Sequence, residues 1–133
     1  MRVVVERPPG TEGYPLGTDE LGRDMLSRLI FGARLSLFMG VTPVVCALVI
    51  GGVLGITAGF VGGKVNMLIM RVMDVFYAFP SVLLAISLSG AMGAGTENTL
   101  LSLTLVFIPP ICRVSESVTT QVRGRDYVEA ARA

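Results

Sequence analysis

The sequence predicts an all-α, polytopic membrane protein, with three transmembrane helices preceded by an interfacial amphipathic helix and followed by the start of a further helix at the C-terminus. Three observations carry this prediction. Hydrophobic residues make up 52% of the 133 residues and charged residues only 16%, where an ordinary soluble domain carries about 25% charged. The charges are also segregated: between Arg34 and Arg113 the only ones are Lys64, Arg71, Asp74 and Glu97. The uncharged runs left between them have the length of helical spans, and one small core cannot hide them from water.

Residues 1–18 read as irregular, because Pro8, Pro9, Gly10, Gly13, Pro15 and Gly17 punctuate them too often for a helix. Thr18 or Asp19 is the expected N-cap of an interfacial helix over residues 19–34. Leu21, Met25, Leu29, Gly32 and Ala33 share one face of it, and Arg23, Asp24, Arg28 and Arg34 supply the polar remainder. No charge occurs from Leu35 through Gly63. Span one is therefore placed at residues 35–60, since a bilayer needs about 20 apolar residues per helix.

Residues 61–74 form a connector, wet on at least one side through Lys64, Asn66, Arg71 and Asp74, with Met67, Leu68, Met70 and Val72 giving it an amphipathic helical character. Span two follows at residues 75–92, with Phe79-Pro80 near its start, where a helix tolerates proline best. Gly93 and Gly95 close it, and the short turn to Asn98 makes spans two and three antiparallel neighbours. Span three is placed at residues 99–121. Its uncharged core from Asn98 to Cys112 gives only about 22 Å of helix against a hydrocarbon thickness of about 30 Å. It is therefore extended past Arg113, which can snorkel, and Glu116, one turn on and within reach of Arg113. Pro109-Pro110 should kink or break it around Leu105 to Phe107. Residues 122–133 begin a last helix, interrupted at Gly124-Arg125-Asp126 and alanine-rich from Tyr127 onward.

Composition excludes several functions. There is no histidine, so imidazole catalysis and His-ligated metal sites are absent, and no catalytic, cofactor-binding or metal-ligating residue is assigned. No basic block with interleaved aromatics points to nucleic acid. The two cysteines, Cys46 and Cys112, sit inside hydrophobic runs and read as small buried apolar residues rather than a disulfide. No apolar run near Met1 has the position of a signal-peptide core. Lys64, Arg71, Arg113, Arg123, Arg125 and Arg132 fall on one side of the predicted spans, which favours a cytoplasmic C-terminus.

Four features invite a functional reading beside a structural one. Ala47, Gly51, Gly55 and Gly59 recur every four residues, which makes a close helix-packing face, although glycine is also simply common in membrane helices. Arg113 and Glu116 mark either a transport path or an ion pair at a helix end. Ser87, Ser89, Ser102 and Thr104 line either a polar route or bond to their own helix backbone. In the C-terminal segment, alanines permit seating deep in a partner's groove, Tyr127 supplies an aromatic anchor, and Glu129 and Arg132 lie at the rim. The same residues equally describe an alanine-rich surface helix.

The run Glu129-Ala130-Ala131 resembles the start of the "EAA" motif of ATP-binding cassette importer permeases. Further segments resemble the dipeptide, oligopeptide and nickel branch of that family, in the family's order: Leu16-Gly17-Thr18-Asp19-Glu20-Leu21-Gly22-Arg23-Asp24, Gly32-Ala33-Arg34-Leu35-Ser36-Leu37, Gly59-Phe60-Val61-Gly62-Gly63, and Met70-Arg71-Val72-Met73-Asp74 followed by Ala78-Phe79-Pro80. The resemblance implies the translocation subunit of an ATP-driven importer of peptides or nickel in a bacterial or archaeal plasma membrane. The last helix would be the start of a cytoplasmic coupling helix, with Tyr127, Glu129, Ala130 and Ala131 making the ATPase contact. The implied partners are a second permease subunit, two ATP-binding subunits, an extracytoplasmic solute-binding protein and membrane lipid. Family members continue on both sides of the matched segments, so the resemblance also implies a chain cut at both ends. The alternative from another class is a small stand-alone membrane protein that oligomerises through its glycine stripe.

Overall fold

The computed structural model describes residues 5–133, apart from the side chains of Asp126 and Tyr127. Among the described residues every regular element is an α-helix: α1 Met25–Val61, α2 Gly63–Tyr77, α3 Ser81–Met92, α4 Thr96–Arg123 and α5 Asp126–Arg132. The chain divides into two compact units, Met1–Gly40 and Val41–Ala133.

In the first unit, residues 5–24 form a stapled series of turns. The Arg7 amide donates to Thr18 Oγ1 at 2.9 Å, and the Thr18 amide returns a bond to the Arg7 carbonyl at 3.0 Å. The Arg7 guanidinium lies 4.8 Å from the Tyr14 ring centre. Asp19 does not cap a helix, as the sequence led one to expect. Its Oδ1 accepts from the amides of Leu21 and Arg23, at 2.9 and 2.8 Å, and so closes a turn. Gly22 follows with φ +75°, a conformation that breaks helical continuity. The cap is Asp24, whose carboxylate accepts from the Leu26 amide at 3.2 Å and the Ser27 hydroxyl at 2.8 Å.

The helix that starts there runs unbroken through the 37 residues of α1, about 55 Å at 1.5 Å per residue. The segments expected as an interfacial helix over 19–34 and a span over 35–60 are thus joined, from Met25 on, in one continuous helix. Nothing between Met25 and Val61 interrupts the backbone, and even Pro43 is accommodated within it.

In the second unit, α1 ends at Val61, and Gly62, with a φ of +66°, turns the chain into α2. The span expected at 75–92 is also not one helix. α2 ends at Tyr77, α3 begins at Ser81, and the two are bent by 88° across the break. Pro80 accounts for the break: it bars the preceding Phe79 from helical geometry and brings no amide of its own to the ladder. By contrast, Pro109 and Pro110 do not break α4, which continues through both for 28 residues. They remove two amide donors, but Ile108, Pro109 and Cys112 are buried on the packed face, and neighbouring helices let a membrane helix tolerate such a defect. By length and apolarity, α1 and α4 are each able to cross a membrane, and α2 with α3 make a third if the bent pair is one span.

The buried apolar core is small: Ala47 and Cys112 are fully buried, Met73 and Ile108 nearly so, with Leu54, Ile69, Met70 and Ile111 packed around them. Most large apolar side chains of α1 and α3, such as Leu37, Val49, Val53, Leu83 and Ile86, lie exposed. In water such a surface would be a strong liability; in lipid it is the ordinary exterior.

Candidate functional site

The seam between α1 and α4 organises the second unit. Ala47, Gly51, Gly55 and Gly59 are all buried along one stripe of α1. A Cβ added to Gly51 would stand 2.9 Å from the Ile108 carbonyl oxygen, and one added to Gly59 would stand 2.7 Å from that of Glu116. At Gly55 the added atom would overlap the Cys112 carbonyl and lie 2.6 Å from the Ser115 Cβ. Backbone therefore rests on backbone, and only glycine leaves room. The register also fixes direction. Gly51 meets residues 108–112, Gly55 meets 112–116 and Gly59 meets 116–119. Both numbers rise together, so α1 and α4 run parallel along this seam.

A polar cluster closes the end of the seam where these helices finish. Asn66 of α2 donates to Glu116 Oε1 at 2.7 Å and to the Ala58 carbonyl at 3.2 Å. The Thr120 hydroxyl donates to the same carboxylate oxygen at 3.1 Å. Arg113 makes an ion pair with Asp74 and lies 4.7 Å from the Tyr77 ring centre. The pairing of Arg113 with Glu116 expected from their spacing is thus replaced by two contacts to α2. Both partners of the Asp74 pair are about half exposed, at 47% and 46%. Such a pair contributes at most about 1 kcal/mol in water, so its effect is chiefly to set the rotation of α2 against α4. Asp74 lies far from Arg113 in the chain, and spacing alone gave no signal for this partner.

At the same end, Arg123 Nη1 donates to the Phe60 carbonyl at 3.3 Å, and the Arg132 guanidinium sits 4.9 Å from the Phe60 ring centre. α5 follows α4 directly, and Glu129, Ala130 and Ala131 are exposed on it. The side chain of Tyr127, the fourth residue assigned to this surface, lies outside the described residues. Of the hydroxyls considered for a polar route, Thr104 Oγ1 donates to the Leu100 carbonyl of its own helix at 2.7 Å, and Ser102 Oγ bonds both to the Asn98 carbonyl of its own helix at 2.8 Å and to Met92 Sδ of α3 at 3.6 Å. Cys112 is buried in the seam, Cys46 is exposed, and both are free thiols.

These features define a class: a helical membrane protein whose long apolar helices close on one another through a glycine seam. More specifically, the chain belongs to the family described as binding-protein-dependent transport system inner membrane component, whose profile matches residues 51–133. It is similar to the di/tripeptide transport system permease protein DppC of Pseudomonas aeruginosa (strain UCBPP-PA14), with 46% identity over 123 residues, 92% of this chain and 41% of that protein. A putative peptide transport system permease protein of Brucella suis biovar 1 is 40% identical over 126 residues, 95% of this chain and 42% of that one. The glutathione transport system permease protein GsiD of Pectobacterium atrosepticum is 39% identical over 118 residues, 89% of this chain and 39% of that one. The chain thus spans about two-fifths of the length of these relatives, which are transport permeases and not enzymes.

Proposed function

We propose that this chain forms the central membrane-crossing part of the translocation subunit of an ATP-driven peptide importer. The observation that carries the reading is the parallel course of α1 and α4. Two parallel helices that each cross the membrane require the chain between them to cross back. The bent pair α2–α3 is then the return crossing rather than a re-entrant loop, giving three spans, and α5 emerges on the side where α1 ends. That side holds Lys64, Arg71, Arg113, Arg123, Arg125 and Arg132, as expected of a cytoplasmic face.

On this reading α5 is the start of the coupling helix. Glu129, Ala130 and Ala131 are free to meet an ATP-binding subunit, with Tyr127 beside them in sequence. The names of the similar proteins favour peptides over nickel as cargo. The remaining partners are a second permease subunit, a second ATP-binding subunit and a solute-binding protein on the outer side. The permease performs no covalent chemistry; closure of the ATPase pair would rock the spans between inward and outward access. The stand-alone oligomer reading needs the Gly51, Gly55 and Gly59 stripe free, and α4 of the same chain fills it.

The test is Ala130→Trp in the full-length protein. The bulky ring should prevent ATPase subunits from co-purifying and abolish ATP-driven peptide uptake. Undiminished uptake would sink the reading.

A further inference from the structure

We propose that Phe60, the penultimate residue of α1, is the point at which movement of α5 enters the membrane-crossing helices, through the Arg132–Phe60 contact. The proposal rests on the reading of α5 as a coupling helix. Phe60 is held from two directions at once. Its carbonyl accepts from Arg123 at the end of α4 at 3.3 Å, and its ring lies 4.9 Å from the Arg132 guanidinium at the end of α5. The neighbouring positions are shaped to the same arginine and helix. A Cβ on Gly62 would stand 2.6 Å from Arg123 Nη1, and one on Gly59 would stand 2.8 Å from the Thr119 Cβ.

The joint between α4 and α5 is short and unobstructed, formed by Gly124 and Arg125, with nothing within 4 Å of the place a Cβ on Gly124 would occupy. A displaced α5 therefore has two routes into the membrane. One is the Gly124 joint, where bending relieves it. The other is Arg132 on Phe60, which passes it straight to the end of α1. Because α1 and α4 are locked backbone to backbone at Gly55 and Gly59, a pull on Phe60 moves the seam as a unit. A cation over an aromatic face suits this role, since it holds within about 6 Å of the ring centre while tolerating a slide across the face.

The experiment uses the full-length permease assembled with its ATPase subunits and binding protein in proteoliposomes, measuring peptide transported per ATP hydrolysed. Phe60→Ala should leave the ATPase subunits bound and hydrolysing but lower that ratio about two- to fivefold, the equivalent of one exposed cation–π contact. Phe60→Trp should restore the ratio and Phe60→Leu should not. If Phe60→Ala fails to assemble, Arg132→Gln against Arg132→Lys asks the same question from the other side, with loss and retention expected. An unchanged ratio in Phe60→Ala or, where that variant does not assemble, in Arg132→Gln, or full rescue by Phe60→Leu, overturns the proposal. Failure of the coupling-helix reading itself shows separately, as ATPase subunits that still co-purify with Ala130→Trp.

Discussion

The turns of residues 5–24 and the seam of α1 with α4 both depend on glycine, for opposite reasons. Gly10 and Gly13 have φ of +88° and +82° with nothing within 4 Å of an added Cβ. They are needed for conformation alone, because a left-handed backbone costs other residues roughly 1–2 kcal/mol. Gly51, Gly55 and Gly59 lie inside a regular helix and need no special dihedral. They are needed for space alone. Gly17 needs both, with φ of +77° and the Arg7 carbonyl oxygen 2.5 Å from the added carbon, whereas Gly62, with φ of +66°, meets only the movable tip of the Arg123 side chain. The two regions thus respond to different physics: one is specified by local backbone energy, the other by the approach of two helices whose contacting residues are far apart in the chain.

The largest expected effect is in the seam. Gly55→Ala puts a carbon into the Cys112 carbonyl and against Ser115, and neither helix can yield without separating. Overpacking of this kind costs about 1–3 kcal/mol, and the loss spreads to Gly51 and Gly59 because all three share one register. Gly52, next to Gly51 on the same helix, has nothing within 4 Å of an added Cβ. Gly52→Ala should leave the melting temperature in detergent unchanged or raised, since alanine is the better helix former. If the two substitutions prove equally harmful, space is not what the stripe provides.

The same contrast explains what the sequence made legible. The seam glycines were visible as a four-residue period and the long uncharged run announced α1, because both signals are local, whereas the uncharged run of α4 was too short to span and had to be extended past Arg113 and Glu116. Long-range choices were not visible. Arg113 had Glu116 one turn away and took Asp74 instead, because the crossing of α2 over α4 delivers that carboxylate and sends Asn66 to Glu116. Asp19 and Asp24 both have the chemistry of an N-cap, and Gly22 between them decides in favour of Asp24 by leaving the helical region. The two proline sites are the sharpest case. Phe79-Pro80, expected to be tolerated near the start of a span, breaks the helix, and Pro109-Pro110, expected to kink or break one, lies inside the continuous α4. The difference is that Pro109 is buried among packed neighbours, while Pro80 is exposed. Contacts that hold Glu129, Ala130 and Ala131 lie outside this chain on the proposed reading, so their role was legible only by resemblance.

Gly17→Ala probes the mixed case and should have the second effect. It combines left-handed strain of roughly 1–2 kcal/mol with a carbon 2.5 Å from the Arg7 carbonyl, the same carbonyl that accepts from Thr18. The cost cannot exceed the stability of the turns themselves, because they can open without unpacking the seam. Hydrogen exchange should therefore rise at the amides of Arg7, Thr18 and Met25 while those of α4 keep their protection. Increased exchange throughout α4 would mean that the two regions are not separable in the way their glycines imply.

The smallest effect concerns charge. The Asp19 carboxyl is held below its ordinary range chiefly by the Arg23 amide, with the Arg28 side chain and the Leu21 amide adding to this against an opposing contribution from desolvation. A carboxyl whose folded-state pKa is depressed contributes stability that is complete above its unfolded value and is lost as pH falls through the folded one. Mild acidification, down to about the ordinary aspartate value of 3.9, should thus leave the turns intact, and loosening should begin only below it. Asp19→Asn keeps an oxygen acceptor for the Leu21 and Arg23 amides but loses the charge and the pairing with Arg28, so its turns should be slightly weaker at neutral pH and indifferent to acid. The seam contains no ionisable contact at Gly51, and exchange there should not follow the titration of Asp19. A loosening near Gly51 that tracked the Asp19 titration would show that the turns help hold the seam.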